Sequence, residues 1–193
     1  MKTPFIVLIV GPSGAGKTTL ARTLEWRNGW SQIASYTTRE PRFLGEIGHT
    51  FVTPEKFDEL TGIVAYTEYN GHRYCATSAQ VDDNEIYVVD VAGVETFMQR
   101  YNGNKKPIVV IPWCDEQDRQ QRMKKRGDSI ENISKRLQTD LEMFDEVSWK
   151  LGELVGEENV LLLDSLTPED MAIATEEFLY AKGYEWQTPT HHQ

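Results

Sequence analysis

Residues Gly11 to Thr18, which read Gly-Pro-Ser-Gly-Ala-Gly-Lys-Thr, limit what this chain can fold into more than any other stretch. They match the pattern G-x-x-x-x-G-K-[ST]. A continuous apolar run, Phe5 to Val10, precedes them, and a segment with Leu20 and Leu24 four apart follows, closing at Asn28-Gly29. So apolar a run suits a parallel strand covered on both faces. The four-residue spacing with a closing glycine predicts a helix. Strand, glycine-rich turn and helix, in that order, aim backbone amides and the positive end of the helix dipole at an anion. Lys17 then reaches the β- and γ-phosphates of a nucleoside triphosphate, and the Thr18 hydroxyl is placed to ligate Mg²⁺. The segment predicts binding of Mg-ATP through Gly11, Ser13, Gly14, Ala15, Gly16, Lys17, Thr18 and Thr19.

The rest of the chain alternates in the same way. Strands are expected at Ile86 to Val91, Pro107 to Pro112 and Val160 to Asp164, and helices at Gly93 to Tyr101 and Asp115 to Arg126. Ile130, Ile133, Leu137, Leu141 and Phe144 recur at spacings of three and four, which predicts a helix with one buried stripe. A final helix starts at Thr167-Pro168 and stops near Gly183. Strands alternating with helices imply an α/β fold, a P-loop NTPase three-layer sandwich around a parallel sheet. Residues 31–85 break the rhythm with short β-like pieces (Phe51-Val52, Ile63 to Tyr69) around a helix at Pro54 to Leu60, where Thr53 is the expected N-cap. One domain is expected, with its core at 1–30, 86–112 and 146–186, an insertion at 31–85, a lid at 113–145 and a tail at 187–193.

Composition narrows the partners. The net charge of −10 opposes binding to duplex nucleic acid or to an anionic membrane. Two cysteines are too few for a disulfide scaffold, so a reducing cytoplasm is expected. No stretch reaches transmembrane length. The run Phe5 to Val10 leads into a glycine loop instead of a signal-peptide cleavage site.

Asn104 to Pro107 lacks the aspartate of the N-K-x-D stretch by which signalling GTPases read guanine, and it precedes a strand. Ser35 to Arg42 reads Ser-Tyr-Thr-Thr-Arg-Glu-Pro-Arg, with two guanidinium forks, Arg39 and Arg42, able to grip one phosphate. This segment resembles the S-x-T-T-R-x-P-R signature of the guanylate kinase family. Further matches follow in the family's order: Asn70 to Ser78 to its G-N-x-Y-G-T-S loop with one extra residue, Asp90 to Gly93 to its D-x-x-G, and Arg126-Gly127 with Lys135 to Leu137 to its lid.

The resemblance implies an inserted subdomain that binds a nucleoside monophosphate (NMP), and a lid. Arg39, Arg42 and Tyr74 would hold the acceptor phosphate, with His49 where the family has a phosphate-binding tyrosine. Ser35 and Thr77 would bond the base, and Asp90 would lie near the nucleoside. Lys17, Arg126 and Arg136 would be the catalytic cations. Where the family places a glutamate on guanine's donors, this chain has Ala65, and Glu68 three residues on falls on the opposite face of an unbroken strand. Glu68 is kept as an NMP-binding candidate, which a bulge or a shifted register would bring to the base. The implied function is a nucleoside monophosphate kinase using Mg-ATP, with GMP or dGMP as acceptor and a monomer or homodimer as assembly. The alternatives are a kinase for another or modified (deoxy)nucleotide, and a non-catalytic binding module of the same fold.

Overall fold

A computed structural model of the chain describes residues 3–41, 44–69, 71–144 and 147–186. In chain order the first elements are β1 (Phe5–Ile9), α1 (Lys17–Asn28), β2 (Ser35–Thr37), β3 (His49–Phe51), α2 (Pro54–Asp58) and β4 (Ile63–Tyr69). Next come β5 (His72–Thr77), α3 (Ser78–Asp83), β6 (Ile86–Val88), α4 (Val91–Arg100) and β7 (Lys106–Trp113). The chain continues through α5 (Glu116–Arg126), α6 (Ile130–Phe144), α7 (Val147–Val155), β8 (Val160–Asp164) and α8 (Pro168–Ala181).

The strands β6-β1-β7-β8 pair in that order, all parallel. Successive side chains of β1 point to opposite faces, so one buried strand feeds two cores. Ile6 and Leu8 pack with Val94 and Phe97 of α4 and Leu151 of α7. Phe5, Val7 and Ile9 pack with Leu20 and Leu24 of α1 and with Met171 and Leu179 of α8. Helix, sheet and helix give the three-layer sandwich that the alternation predicts. Full burial of each such side chain contributes about 1.5–3 kcal/mol. Gly29 ends α1 in the left-handed conformation, φ 65°, which a side chain adopts at a cost. The segment just after α8 packs on the same side: Trp186 meets Trp30 edge-on and donates from Nε1 to Asn28.

A second sheet, ordered β3-β2-β5-β4, is built wholly between residues 35 and 77. Thr53 caps α2 as expected, accepting from the Lys56 amide. Three departures from the sequence reading stand out. His72 to Thr77 is a strand, because it finds partners in both β2 and β4. The short α3 and the separate α7 carry no isolated periodic signal. The stripe on α6 is only half buried: Ile133 and Leu137 pack on Met123, while Ile130 and Leu141 are exposed. No helix among the described residues is long and apolar enough to cross a membrane.

Candidate active site

The glycine loop joins β1 to α1 and is wedged between neighbours that need its glycines. A Cβ on Gly11 would lie 2.9 Å from the Pro112 carbonyl, and one on Gly14 would lie 2.8 Å from that of Arg119. Gly14 and Gly16 also hold φ of 81° and 105°. Lys17 is folded back on the loop, donating to the carbonyls of Gly11 at 2.6 Å and Pro12 at 2.9 Å. Burial pulls its ammonium down from 10.5 to about 8; Asp140 opposes this, while Arg136, Arg126 and Arg119 add to it. Ala15 is buried, whereas Thr18 and Thr19 are exposed on the first turn of α1.

One cavity connects this loop to the second sheet. Gly11, Ser13, Lys17 and Arg136 line one end, and Ser35, His49, Thr67, Tyr69 and Tyr74 the other, with Tyr87 to Asp90 between. The pairing of the strands explains the second set. Thr67 lies opposite Tyr74, and Ser35 beside His49, so these side chains share a face. The Ser35 hydroxyl and His49 Nδ1 are 2.8 Å apart, and the His49 ring meets Tyr74 edge-on. Asp90 caps α4, its Oδ1 accepting from the Gly93 amide at 2.7 Å.

Several expected residues sit elsewhere. Glu68 is on the far face of β4, opposite Arg73, where its carboxylate accepts from the Tyr66 hydroxyl. The one irregularity in this ladder falls between Ile63 and Ala65, before the stretch where it would have to act, so the strand runs unbroken from Ala65 to Glu68. Thr77 spends its hydroxyl in a capping box with Gln80 at the start of α3 and does not line the cavity. Arg39 is bidentate on Glu46, at 2.7 and 3.1 Å, outside the cavity lining, and its Nε is buried without a partner. Arg126 is half exposed and held by Asp128, whereas Arg136 lines the cavity 4.0 Å from the same carboxylate. Arg42 lies outside the described residues.

The sequence reading missed three charged groups. Asp140 of α6 accepts from the Ser13 amide and from Arg119 Nη1, both at 2.9 Å. Burial raises its carboxyl, against the pull of the Ser13 amide, Arg119 and Lys17. Arg122 donates to the carbonyls of Gly14 at 3.3 Å and Ala15 at 3.4 Å. Arg119, Arg122 and Arg126 recur at spacings of three and four on α5, a periodicity that marks one cationic helix face.

The chain is similar to known proteins in sequence and in fold. The family model described as "AAA domain" matches residues 7–165. A guanylate kinase from Francisella tularensis subsp. holarctica is 30% identical over 166 residues, covering 76% of this chain and 87% of that protein. One from Anaeromyxobacter dehalogenans is 33% identical over 150 residues, covering 70% of this chain and 66% of that protein. Among solved structures, guanylate kinase from Anaplasma phagocytophilum superposes with a TM-score of 0.59 at 18% identity, covering 94% of this chain and 87% of that one. A sugar kinase from Janibacter sp. superposes with a TM-score of 0.54 at 16% identity, covering 91% of this chain and 94% of that one. At such identities the structural likenesses speak for the fold alone.

Proposed function

We propose that this chain, which belongs to the guanylate kinase family, is an ATP-dependent nucleoside monophosphate kinase that phosphorylates GMP and dGMP. The observation that carries the reading is a continuous cavity running from the phosphate loop to the hydroxyl-rich face of the second sheet. A donor triphosphate at one end and an acceptor monophosphate at the other share that space.

Little covalent work is asked of the protein. The acceptor phosphate is largely dianionic near neutral pH, so its oxygen attacks the γ-phosphorus without a general base. The bond from that phosphorus to the bridging oxygen breaks, and ADP leaves with the electron pair. Catalysis is alignment plus neutralisation of the charge between the two nucleotides. Lys17 turns from the Gly11 and Pro12 carbonyls to the β- and γ-phosphates. Arg136 approaches from α6, and Arg126 exchanges Asp128 for a phosphate oxygen as residues 113–145 close. Tyr74 and Arg39 serve the acceptor phosphate. The buried, unpartnered Nε of Arg39 is a donor still to be satisfied there.

The Thr18 hydroxyl, exposed where α1 begins, fits a Mg²⁺ ion held mostly by phosphate oxygens and water. Such an ion supplies further charge neutralisation at the transferring group. Phosphorus NMR of Mg-ATP incubated with GMP tests the assignment. GDP and ADP should appear in equal amounts. ADP and inorganic phosphate without GDP would make the protein an ATPase instead.

A further inference from the structure

The carboxylate of Asp140 stands on ground that the kinase reading above, on which this inference rests, gives to the donor's terminal phosphate. Within the phosphate loop, Gly11, Ser13 and Lys17 line the cavity that runs on to the second sheet. The phosphoryl group to be transferred is the one that faces the acceptor, so the γ-phosphate belongs against these three residues. Ser13 offers it a backbone amide. That amide donates to Oδ2 of Asp140 at 2.9 Å, and the Ser13 hydroxyl lies 3.5 Å from Oδ1. The same Oδ2 accepts from Arg119 Nη1 at 2.9 Å. One carboxylate oxygen thus joins a loop amide to a guanidinium, as a phosphate oxygen does in an anion site. Charge matches as well. Against the burial that raises its carboxyl, the Ser13 amide, Arg119 and Lys17 all favour the charged form of Asp140. Asp140 in turn favours the charged form of Lys17, which burial, Arg136, Arg126 and Arg119 disfavour.

The carboxylate and a γ-phosphate exclude each other. A single N–H does not bond two acceptors at full strength, and two anions side by side disfavour one another. Helix α6 carries the means of exchange. Arg136 and Asp140 are four residues apart on it, on one face and about 6 Å apart along its axis. Both line the cavity. Asp140 is seated on the loop, while Arg136 lies 4.0 Å from Asp128. A shift of α6 by about one turn brings a cation to the place where the anion stood.

We propose that Asp140 is a built-in stand-in for the γ-phosphate, a latch on the phosphate loop that a triphosphate displaces and a diphosphate leaves seated. Binding of ATP exchanges Asp140 for Arg136 at the loop. Once the γ-phosphoryl group has left on the acceptor, Asp140 returns to Ser13 beside the remaining ADP. The latch weakens ATP binding, because its contacts to Ser13 and Arg119 are given up first.

Calorimetry of Mg-ATP and Mg-ADP on the wild type and on Asp140→Asn tests this. The amide keeps the shape and one acceptor oxygen but loses the charge. Asp140→Asn should lower the Kd of Mg-ATP by at least about tenfold and that of Mg-ADP by less. A residue that merely braced α6 against the loop would give the opposite sign, because its loss would loosen the site. Unchanged or weaker ATP binding, or an equal gain for both nucleotides, overturns the proposal. Should the variant fail to fold, a crystal structure of the wild type with Mg²⁺ and a non-hydrolysable ATP analogue decides. The Ser13 amide should then meet a phosphate oxygen, with Asp140 more than about 4 Å away. Asp140 still within about 3 Å of that amide overturns the latch and leaves the kinase reading intact. Failure of Mg-ATP to bind either protein overturns both.

Discussion

The ion pair between Arg119 and Asp140 makes a sharp test of how α5 and α6 are fastened to the phosphate loop. Their side chains are only 6% and 9% exposed, and the closest N···O distance is 2.9 Å. Asp140→Ala strands a buried guanidinium whose Nε already lacks a partner. Arg119→Leu strands a buried carboxylate that keeps only the Ser13 amide and the more distant Ser13 hydroxyl. Breaking a pair this buried from one side costs about 3–5 kcal/mol. For a chain of this size that lowers Tm by roughly 6–20 °C. Replacing both residues by apolar groups leaves nothing stranded and is worth from about zero to 4 kcal/mol of added stability. A double-mutant cycle in urea should therefore give a coupling of several kcal/mol, with the double variant at least as stable as wild type. Single variants that each cost under about 1 kcal/mol and add would refute the reasoning, because the pair would then be solvated.

Three further outcomes rest on the site. Lys17 has a folded value of about 8 against 10.5, so the free protein has lost most of that proton at pH 8.5, and a bound triphosphate restores it. Calorimetry in buffers of different ionisation enthalpy should show uptake of about three quarters of a proton at pH 8.5 and almost none at pH 7; no uptake at pH 8.5 would place Lys17 in a more solvated setting. The same depression means that this group's contribution to stability is present above pH 10.5 and lost as pH falls through about 8. Gly14→Ala meets both a φ of 81° and a carbonyl 2.8 Å away, so it should cost more than about 1–2 kcal/mol and abolish the thermal shift given by Mg-ATP; an unshifted Tm with normal ATP binding would contradict this. Glu68→Ala should leave kcat/KM for GMP within about twofold, since the carboxylate faces away from the cavity; a loss of tenfold or more would put Glu68 on the base.

The core was legible because its signals are local. A buried strand, a glycine loop and a capped helix announce themselves within residues 5 to 29, and the later strands and helices stack around them. The second sheet was less legible. His72 to Thr77 is a strand through its pairing with Tyr36, Thr37 and β4, partners that no local pattern in that segment names. Glu68 stands as a binding candidate in the sequence on the chance of a bulge, and the ladder from Ala65 to Glu68 has none, so period two turns it to the opposite face. Asp140 escaped notice for a different reason. On a helix of mixed polarity an aspartate reads as a solvated residue, and only the arrival of Ser13 and Arg119 from other parts of the chain turns it into a buried clasp.

The central claim is that this cavity transfers a phosphoryl group from ATP to a guanine nucleotide with Lys17 neutralising the charge. Steady-state ADP formation, with and without GMP, in the wild type and in Lys17→Ala, tests it most directly. The account predicts ADP formation that depends on GMP and falls by at least about a hundredfold in the variant. ADP formation indifferent to GMP, or unchanged by loss of Lys17, would contradict it.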